Sequence, residues 1–366
     1  MKVVFRADAS LQIGTGHVMR CLTLADALKS RGAEIVFICR AHAGHLKDKI
    51  LAQGHQVCML EIIENYQPTD RHVPNHASWL GVSWQQDAEE TSDMLEGKEV
   101  DWIVVDHYAL DIRWEAAVRK NNYRLMVIDD LADREHDCDV LLDQTFNRVV
   151  SSYKALVPDG CTILTGTDYA LLRPEFAALR EYSLQRRDAL CLQRILITMG
   201  GVDQDNATAK VLDALRRCQL PGDCQISVIM GSAAPWLDSI RETAAHLPWD
   251  TEILVDVGNM SEVMAESDLC IGAAGSTAWE RCCLGLPTLM VVLADNQKAI
   301  AKALEEAGAC INLGDCSDKQ FVEQAVPVIN EYIANTAPHK LMINASSKVT
   351  DGKGIENVLR QLMSAG

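Results

Sequence analysis

The sequence has no basic excess: 34 lysines and arginines stand against 51 aspartates and glutamates in 366 residues, a formal net charge of -17. A balance of that sign excludes wrapping nucleic acid or docking on an anionic membrane, since both need clustered cations. No run approaches the roughly 18 apolar residues of a membrane span, and Arg6 and Asp8 interrupt the only apolar stretch near the start. Neither a span nor a secretory signal is expected, and a cytoplasmic location is. The thirteen cysteines are odd in number, scattered and without a Cys-x-x-Cys pair, so neither a disulfide framework nor a zinc site is expected and buried thiols are. Low-complexity tracts, short-period repeats and the Gly-x-Gly-x-x-Gly of dinucleotide-binding enzymes are also missing. Nothing in the composition bears on oligomeric state.

The composition that remains, 48% hydrophobic and 23% charged, is globular, and the length suits two domains. Strand-like and helix-like segments alternate. A first apolar run at 3–5 is followed by helical spacing over 18–29, and strand-like runs come at 34–39, 56–61, 102–106, 124–129, 140–142 and 162–165. After a charged, Ala/Leu-rich stretch the pattern restarts at 195–198 and continues at 226–230, 252–255, 269–273, 289–292 and 310–313. This order predicts an α/β chain of two Rossmann-like domains with parallel sheets facing a central cleft. The expected bounds are 1–175, a linker over 176–193, a second domain over 194–330 and a C-terminal extension over 331–366 with no assigned chemistry. Residues 64–81, with Pro68, His72, Pro74 and His76, read as a long loop.

Each half opens with a strand, a glycine loop and a helix. In the first, Gly14-Thr15-Gly16-His17 stops the apolar run just before the helical pattern. Glycine admits positive φ and close backbone approach, and a helix start offers unpaired N–H groups and the positive end of its dipole. That setting suits a phosphate, while a histidine simply facing solvent at a helix start is the plainer alternative. In the second half the loop is Gly200-Gly201 with Asp203, Asp205 and Asn206, which fits phosphate or substrate oxygens and also ordinary capping. Asp106-His107-Tyr108 sets an acid, an imidazole and a phenol at a strand end, where ligands of open parallel sheets bind. Tyr169 and Arg173 fall near the expected linker, as ligand contacts or as packing. Gly272 to Glu280 joins small residues, the hydroxyls of Ser276 and Thr277, and a glutamate one turn into a helix that can hold two ribose hydroxyls; a capping box is the alternative. Two Asp-x-Asp pairs, Asp137 with Asp139 and Asp203 with Asp205, are too common a pattern to predict a metal.

Taken in order, Gly14 to Arg20, Asp106 to Tyr108, Tyr169 to Phe176 and Gly275 to Glu280 resemble the UDP-2,4-diacetamido-2,4,6-trideoxy-β-L-altropyranose hydrolases of pseudaminic acid biosynthesis. The second half is also similar to the N-acetylglucosaminyltransferase of lipid II assembly, through Glu280 and Asp295-Asn296-Gln297. The resemblance implies a GT-B fold and a metal-independent, cofactor-free hydrolase that cleaves UDP from its sugar with inversion, His17 being the general base. Hydrolysis at an anomeric carbon needs a water opposite the leaving group and a base that titrates near neutrality, which histidine supplies. UDP leaves readily, so one titrating residue suffices where glycosidases use paired carboxylates. On this reading Gly14, Gly16, Arg20, Asp8, Tyr108, Asn147, Tyr169 and Arg173 bind the sugar, with Asp8 orienting His17. Gly200, Gly201, Gly275, Ser276, Thr277 and Glu280 bind UDP. A UDP-sugar glycosyltransferase and a noncatalytic nucleotide-sugar-binding protein are the alternatives.

Overall fold

The computed structural model describes residues 1–68, 74–119, 123–187, 192–335 and 337–364; His72 lies outside these. Two units are present, Met1–Leu171 with Ile355–Gly366, and Leu172–Gly354.

The first unit is built on β1 (Lys2–Ala7), β2 (Glu34–Arg40), β3 (Gln56–Leu60), β4 (Trp102–Asp106), β5 (Arg124–Ile128), β6 (Val140–Asp143) and β7 (Thr162–Thr165). Their order in the sheet is β3-β2-β1-β4-β5-β6-β7, and every neighbouring pair is parallel. Helices cover both faces, so these strands read as near-continuous apolar runs rather than as alternating ones. Alternation reappears as a choice of core: Val3, Phe5, Ile35, Phe37, Trp102 and Val104 enter one, Val4, Val36, Ile38, Ile103 and Val105 the other. Phe5 stacks on Phe37 with ring centroids 4.9 Å apart.

Charge enters these apolar strands at their carboxyl ends. Arg6 near the end of β1, Arg40 closing β2, Asp106 closing β4 and Asp143 closing β6 are all fully buried. A buried charge is tolerated only when it is paired and hydrogen-bonded, so this edge must carry a connected polar network.

The second unit has β8 (Arg194–Thr198), β9 (Gln225–Met230), β10 (Asp250–Val255), β11 (Leu269–Ala273), β12 (Thr288–Val292) and β13 (Ile311–Asp315), in the order β10-β9-β8-β11-β12-β13 and again all parallel. Among the described residues, no helix is long and apolar enough to cross a membrane.

Two stretches differ from the sequence reading. The expected linker over 176–193 is largely helix Pro174–Arg186, and it belongs to the second unit. Pro174 starts it, Phe176 is buried, Ser183 Oγ donates to the Leu284 carbonyl, and Arg187 donates to the carbonyls of Met264, Ala265 and Ser267. Residues 331–366 are not one extension: helix Gly354–Ser364 returns to the first unit, where Ile355, Val358, Leu359 and Leu362 enter the core of Val3 and Phe5. Arg31 pairs with Glu356 at 2.5 Å, and Asn357 donates to the Asp168 carbonyl at 2.7 Å. Within the expected loop 64–81, Ala77–Leu80 forms a short 3-10 turn that buries Leu80.

Candidate functional site

In the first unit the glycine loop is a tight turn. Ser10 N–H donates to the Gly14 carbonyl and Gly14 N–H donates back, while Ser10 Oγ accepts from the N–H groups of Gln12 and Ile13. Gly14 has φ +80°, a conformation that a side chain would strain. Helix Gly16–Lys29 begins immediately after, so the turn delivers His17 on the first turn and Arg20 one turn later.

His17 is 9% exposed, and its Nδ1 lies 2.6 Å from Asp106 Oδ1. Arg20 grips the same carboxylate, Nε to Oδ2 at 2.6 Å and one terminal nitrogen to Oδ1 at 2.7 Å, and its other terminal nitrogen reaches Asp130 Oδ2 at 2.6 Å. Burial alone would push the Asp106 carboxyl up, but Arg20 and His17 hold it well below the usual carboxylate range. An ionised Asp106 accepts, so Nδ1 is the protonated nitrogen, and in the neutral imidazole that leaves the lone pair on Nε2. No residue among those described hydrogen-bonds that second nitrogen. The imidazole is held in place from behind: a carboxylate binds Nδ1, and an arginine fixes the carboxylate.

Tyr108 forms one wall. Its ring meets the His17 ring edge-on at 4.5 Å, its hydroxyl donates to Asp130 Oδ2 at 2.8 Å, and Trp79 and His76 pack against it with centroids at 6.0 and 5.6 Å. Trp79 also lines a cavity of about 290 Å³ with Ser10, Gln12, His42, Ile62 and Asn65. Burial lowers the His42 pKa, so this cavity is lined by uncharged hydrogen-bonding groups and apolar surface.

The expectation that Asp8 orients His17 is overturned. Asp8 is fully buried and accepts from Arg6 and from the Arg40 backbone N–H, both at 2.7 Å; its other oxygen lies 3.2 Å from His107 Nε2 and 3.9 Å from His42 Nε2. The carboxylate on His17 comes from the neighbouring strand, because β4 lies beside β1 with Asp106 opposite Ala7. Beneath the site, Arg6 and Arg40 both bind Asp87, Arg40 also binds Glu90, and Trp114 Nε1 donates to Asp87 at 2.8 Å. Asn147 is exposed with φ +62° in the loop after β6, and Tyr169 packs at the edge of the Val3 core; neither bonds to His17, Asp106 or Arg20 among the described contacts.

In the second unit, Gly200 has φ +83° and Gly201 accepts from Gly231 N–H, so close that a Cβ on Gly231 would sit 2.2 Å from the Gly201 oxygen. The helix that follows is capped from within: Asp203 accepts from Ala207 and Thr208, and Asn206 from Ala209. The other loop differs. Ser276, at the start of helix Thr277–Cys283, makes no capping bond, and Thr277 Oγ1 instead accepts from Arg281. The capping-box alternative is thus not realised at Gly275, Ser276 and Thr277. Glu280 projects from the first turn, 16% exposed, and burial pushes its carboxyl up to about 7 against the opposing influence of Arg173, which lies 3.9 Å away. Arg173 therefore stands beside Glu280 and also donates to the Gly258 carbonyl.

Residues 194–353 match the model of the glycosyltransferase family 28 C-terminal domain. The UDP-2,4-diacetamido-2,4,6-trideoxy-β-L-altropyranose hydrolase of Campylobacter jejuni is 25% identical over 309 residues, which covers 84% of this chain and 97% of that protein. The motif resemblance thus extends over most of the chain. The spore coat polysaccharide biosynthesis protein SpsG of Bacillus subtilis is 23% identical over 363 residues, covering 98% and 96%. Among solved structures, MurG of Acinetobacter baumannii aligns with a TM-score of 0.67 at 15% identity over 99% of both chains. A putative UDP-N-acetylglucosamine 2-epimerase from Listeria monocytogenes aligns with a TM-score of 0.62 at 14% identity, covering all of this chain and 96% of that one. The fold is GT-B.

Of the residues missed in the sequence, Asp130 and the Arg6-Asp87-Arg40 group had a signal. Each is, or pairs with, a charge at the end of an otherwise apolar strand.

Proposed function

We propose that this protein hydrolyses a UDP-sugar, releasing UDP by inverting attack of water at the anomeric carbon, and that its sugar is the diacetamido-trideoxy-altrose named for the Campylobacter relative. The observation that carries the reading is the His17–Asp106 contact of 2.6 Å, with Arg20 behind it and Nε2 left for a water. As the water oxygen bonds to the anomeric carbon, Nε2 takes its proton and the carbon–oxygen bond to UDP breaks, the electron pair leaving with the diphosphate. Asp106 stabilises the imidazolium so formed, as a buried carboxylate does for a catalytic histidine. A base of this kind supplies about 10²- to 10⁴-fold, and the rest comes from positioning and from stabilising the leaving diphosphate.

In this account UDP belongs to the second unit. Glu280 takes the ribose hydroxyls, and the uncapped backbone at Gly275–Thr277 faces the diphosphate with Gly200 and Gly201. In the first unit, Gly14 and Gly16 shape the turn that presents His17. The uncharged cavity beside Tyr108 and Trp79 suits acetamido groups, which need hydrogen-bond partners and a surface for a methyl but no counter-charge.

A second reading, sugar transfer, is favoured by the family 28 match. The two separate in one assay: UDP release from the diacetamido-trideoxy UDP-sugar in water, with chelator and no acceptor. Turnover with stoichiometric free sugar supports hydrolysis. Release only on adding an acceptor supports transfer, and tight UDP-sugar binding with no release under either condition leaves a binding protein.

A further inference from the structure

Away from His17, at the amino ends of β6 and β7, two thiols face each other: Cys138 Sγ and Cys161 Sγ are 3.6 Å apart, from residues 23 positions apart in the chain. The pair is asymmetric. Cys138 is buried at 2% exposure, whereas Cys161 is partly exposed at the end of the Pro158–Cys161 turn, where its N–H donates to the Pro158 carbonyl. The contact with Cys138, with the Leu141 backbone and the Arg119 guanidinium, holds the Cys161 thiol below its usual range against burial and Asp139, while the same contact and burial push Cys138 up. A partly exposed thiol of lowered pKa within 3.6 Å of a second, sheltered thiol is the arrangement of a redox-reactive cysteine with a resolving partner. Among the described cysteines only Cys58 shares partial exposure, and it has no thiol in hydrogen-bonding contact.

We propose that Cys161 and Cys138 form a reactive dithiol, a modification site at which Cys161 attacks a low-molecular-weight disulfide and Cys138 then closes an intramolecular bond. In the first step the Cys161 thiolate bonds to one sulfur of the disulfide, whose sulfur–sulfur bond breaks and whose other half leaves as a thiolate. In the second, Cys138 loses its proton and bonds to Cys161 Sγ, and the remaining half leaves as a second thiolate. The protein is oxidised by two electrons and the small disulfide is reduced to two thiols. The closed span carries Asp143, Asn147 and Tyr153, and the Tyr153 hydroxyl lies within hydrogen-bonding distance of both Asp129 and Asp143, so oxidation tethers the segment that follows β6. This chemistry is independent of the hydrolase reading.

The test uses oxidised glutathione on the full chain near neutral pH, quenched by alkylation and mapped by mass spectrometry without reduction. Wild type is expected to lose two free thiols and give a Cys138–Cys161 linked peptide that dithiothreitol reverses, with Cys161 reacting about tenfold or more faster than Cys58. Cys138→Ala is expected to stop at a stable mixed disulfide on Cys161, and Cys161→Ser to leave Cys138 unmodified. Modification of Cys161 no faster than Cys58, or oxidation without a Cys138–Cys161 peptide, overturns the proposal. Should the buried Cys138 variant fail to fold, the wild-type map and Cys161→Ser decide it.

Discussion

Replacing Asp106 with asparagine keeps the side chain's shape and removes the charge that sets the His17 tautomer. In the native site both Asp106 oxygens are occupied, Oδ1 by His17 Nδ1 and an Arg20 nitrogen, Oδ2 by Arg20 Nε. Arg20 has no acceptor atom and contacts both positions, so the introduced NH₂ opposes an arginine nitrogen in either orientation, and with the amide oxygen at the Oδ2 position the NH₂ faces His17 as well. Nδ1 then becomes an acceptor, the proton moves to Nε2, and the nitrogen that should take a proton from water already carries one. The parallel loss in a serine-protease triad on the same substitution is about 10⁴ in kcat, and the whole contribution of a general base is about 10² to 10⁴. We expect kcat for UDP release to fall within that range for Asp106→Asn. KM is expected to move far less, because Asp106 is fully buried. Arg20 keeps its bond to Asp130, so folding is expected to survive with a lowered melting temperature. Initial rates of UDP release on folded variant, checked by circular dichroism, measure this. A folded Asp106→Asn protein with kcat within about threefold of wild type, far short of what losing a general base costs, would refute the dyad.

Four further outcomes follow from the same structure. Because burial raises the Glu280 carboxyl to about 7, a carboxylate that accepts ribose hydroxyls makes UDP bind more tightly as pH rises through 7; Glu280→Gln flattens that dependence and weakens binding about tenfold or more at pH 8, read by calorimetric titration. The sign for stability is opposite: a raised carboxyl pKa gives stability present below the ordinary carboxylate value and lost as pH rises to about 7, so Glu280→Gln melts higher than wild type at pH 8 and not at pH 4, by thermal denaturation. Asp87→Ala leaves Arg6 and Arg40 short of their shared carboxylate in a site with no solvent, and is expected to cost about 3–5 kcal/mol in a urea titration. Gly231→Ala forces a Cβ against the Gly201 carbonyl and is expected to cost about 1–3 kcal/mol and to weaken UDP binding with it.

Much of this was written into the chain in a readable form. Apolar runs of strand length separated by helical spacing predicted both parallel sheets, and the glycine turn that delivers His17 stands out because only glycine sits easily at the φ of Gly14. Asp106 was visible as an acid ending a buried strand, yet its partner was not. Which carboxylate meets His17 depends on strand order, and placing β4 against β1 is a long-range pairing that no local pattern encodes. Asp8, nearer in sequence, was the natural choice and proved to serve Arg6 instead. Asp87 lies in helix Trp84–Leu95, outside every motif of the sequence, and only its partners Arg6 and Arg40 stood out as charges at strand ends. The return of Gly354–Ser364 to the first unit was hidden for a similar reason: an apolar helix face specifies that it be covered, and says nothing of which core covers it.

Everything proposed for the hydrolysis rests on one step, attack of a His17-activated water on the anomeric carbon. The sharpest probe is a single turnover of the diacetamido-trideoxy UDP-sugar in heavy-oxygen water, followed by mass spectrometry and by proton NMR of the nascent sugar. The label is expected wholly in the sugar, with unlabelled UDP, an inverted anomer at the earliest times, and a rate lowered about a hundredfold or more by His17→Ala. Label in the terminal phosphate of UDP, or an undiminished rate in the His17→Ala protein, would contradict it.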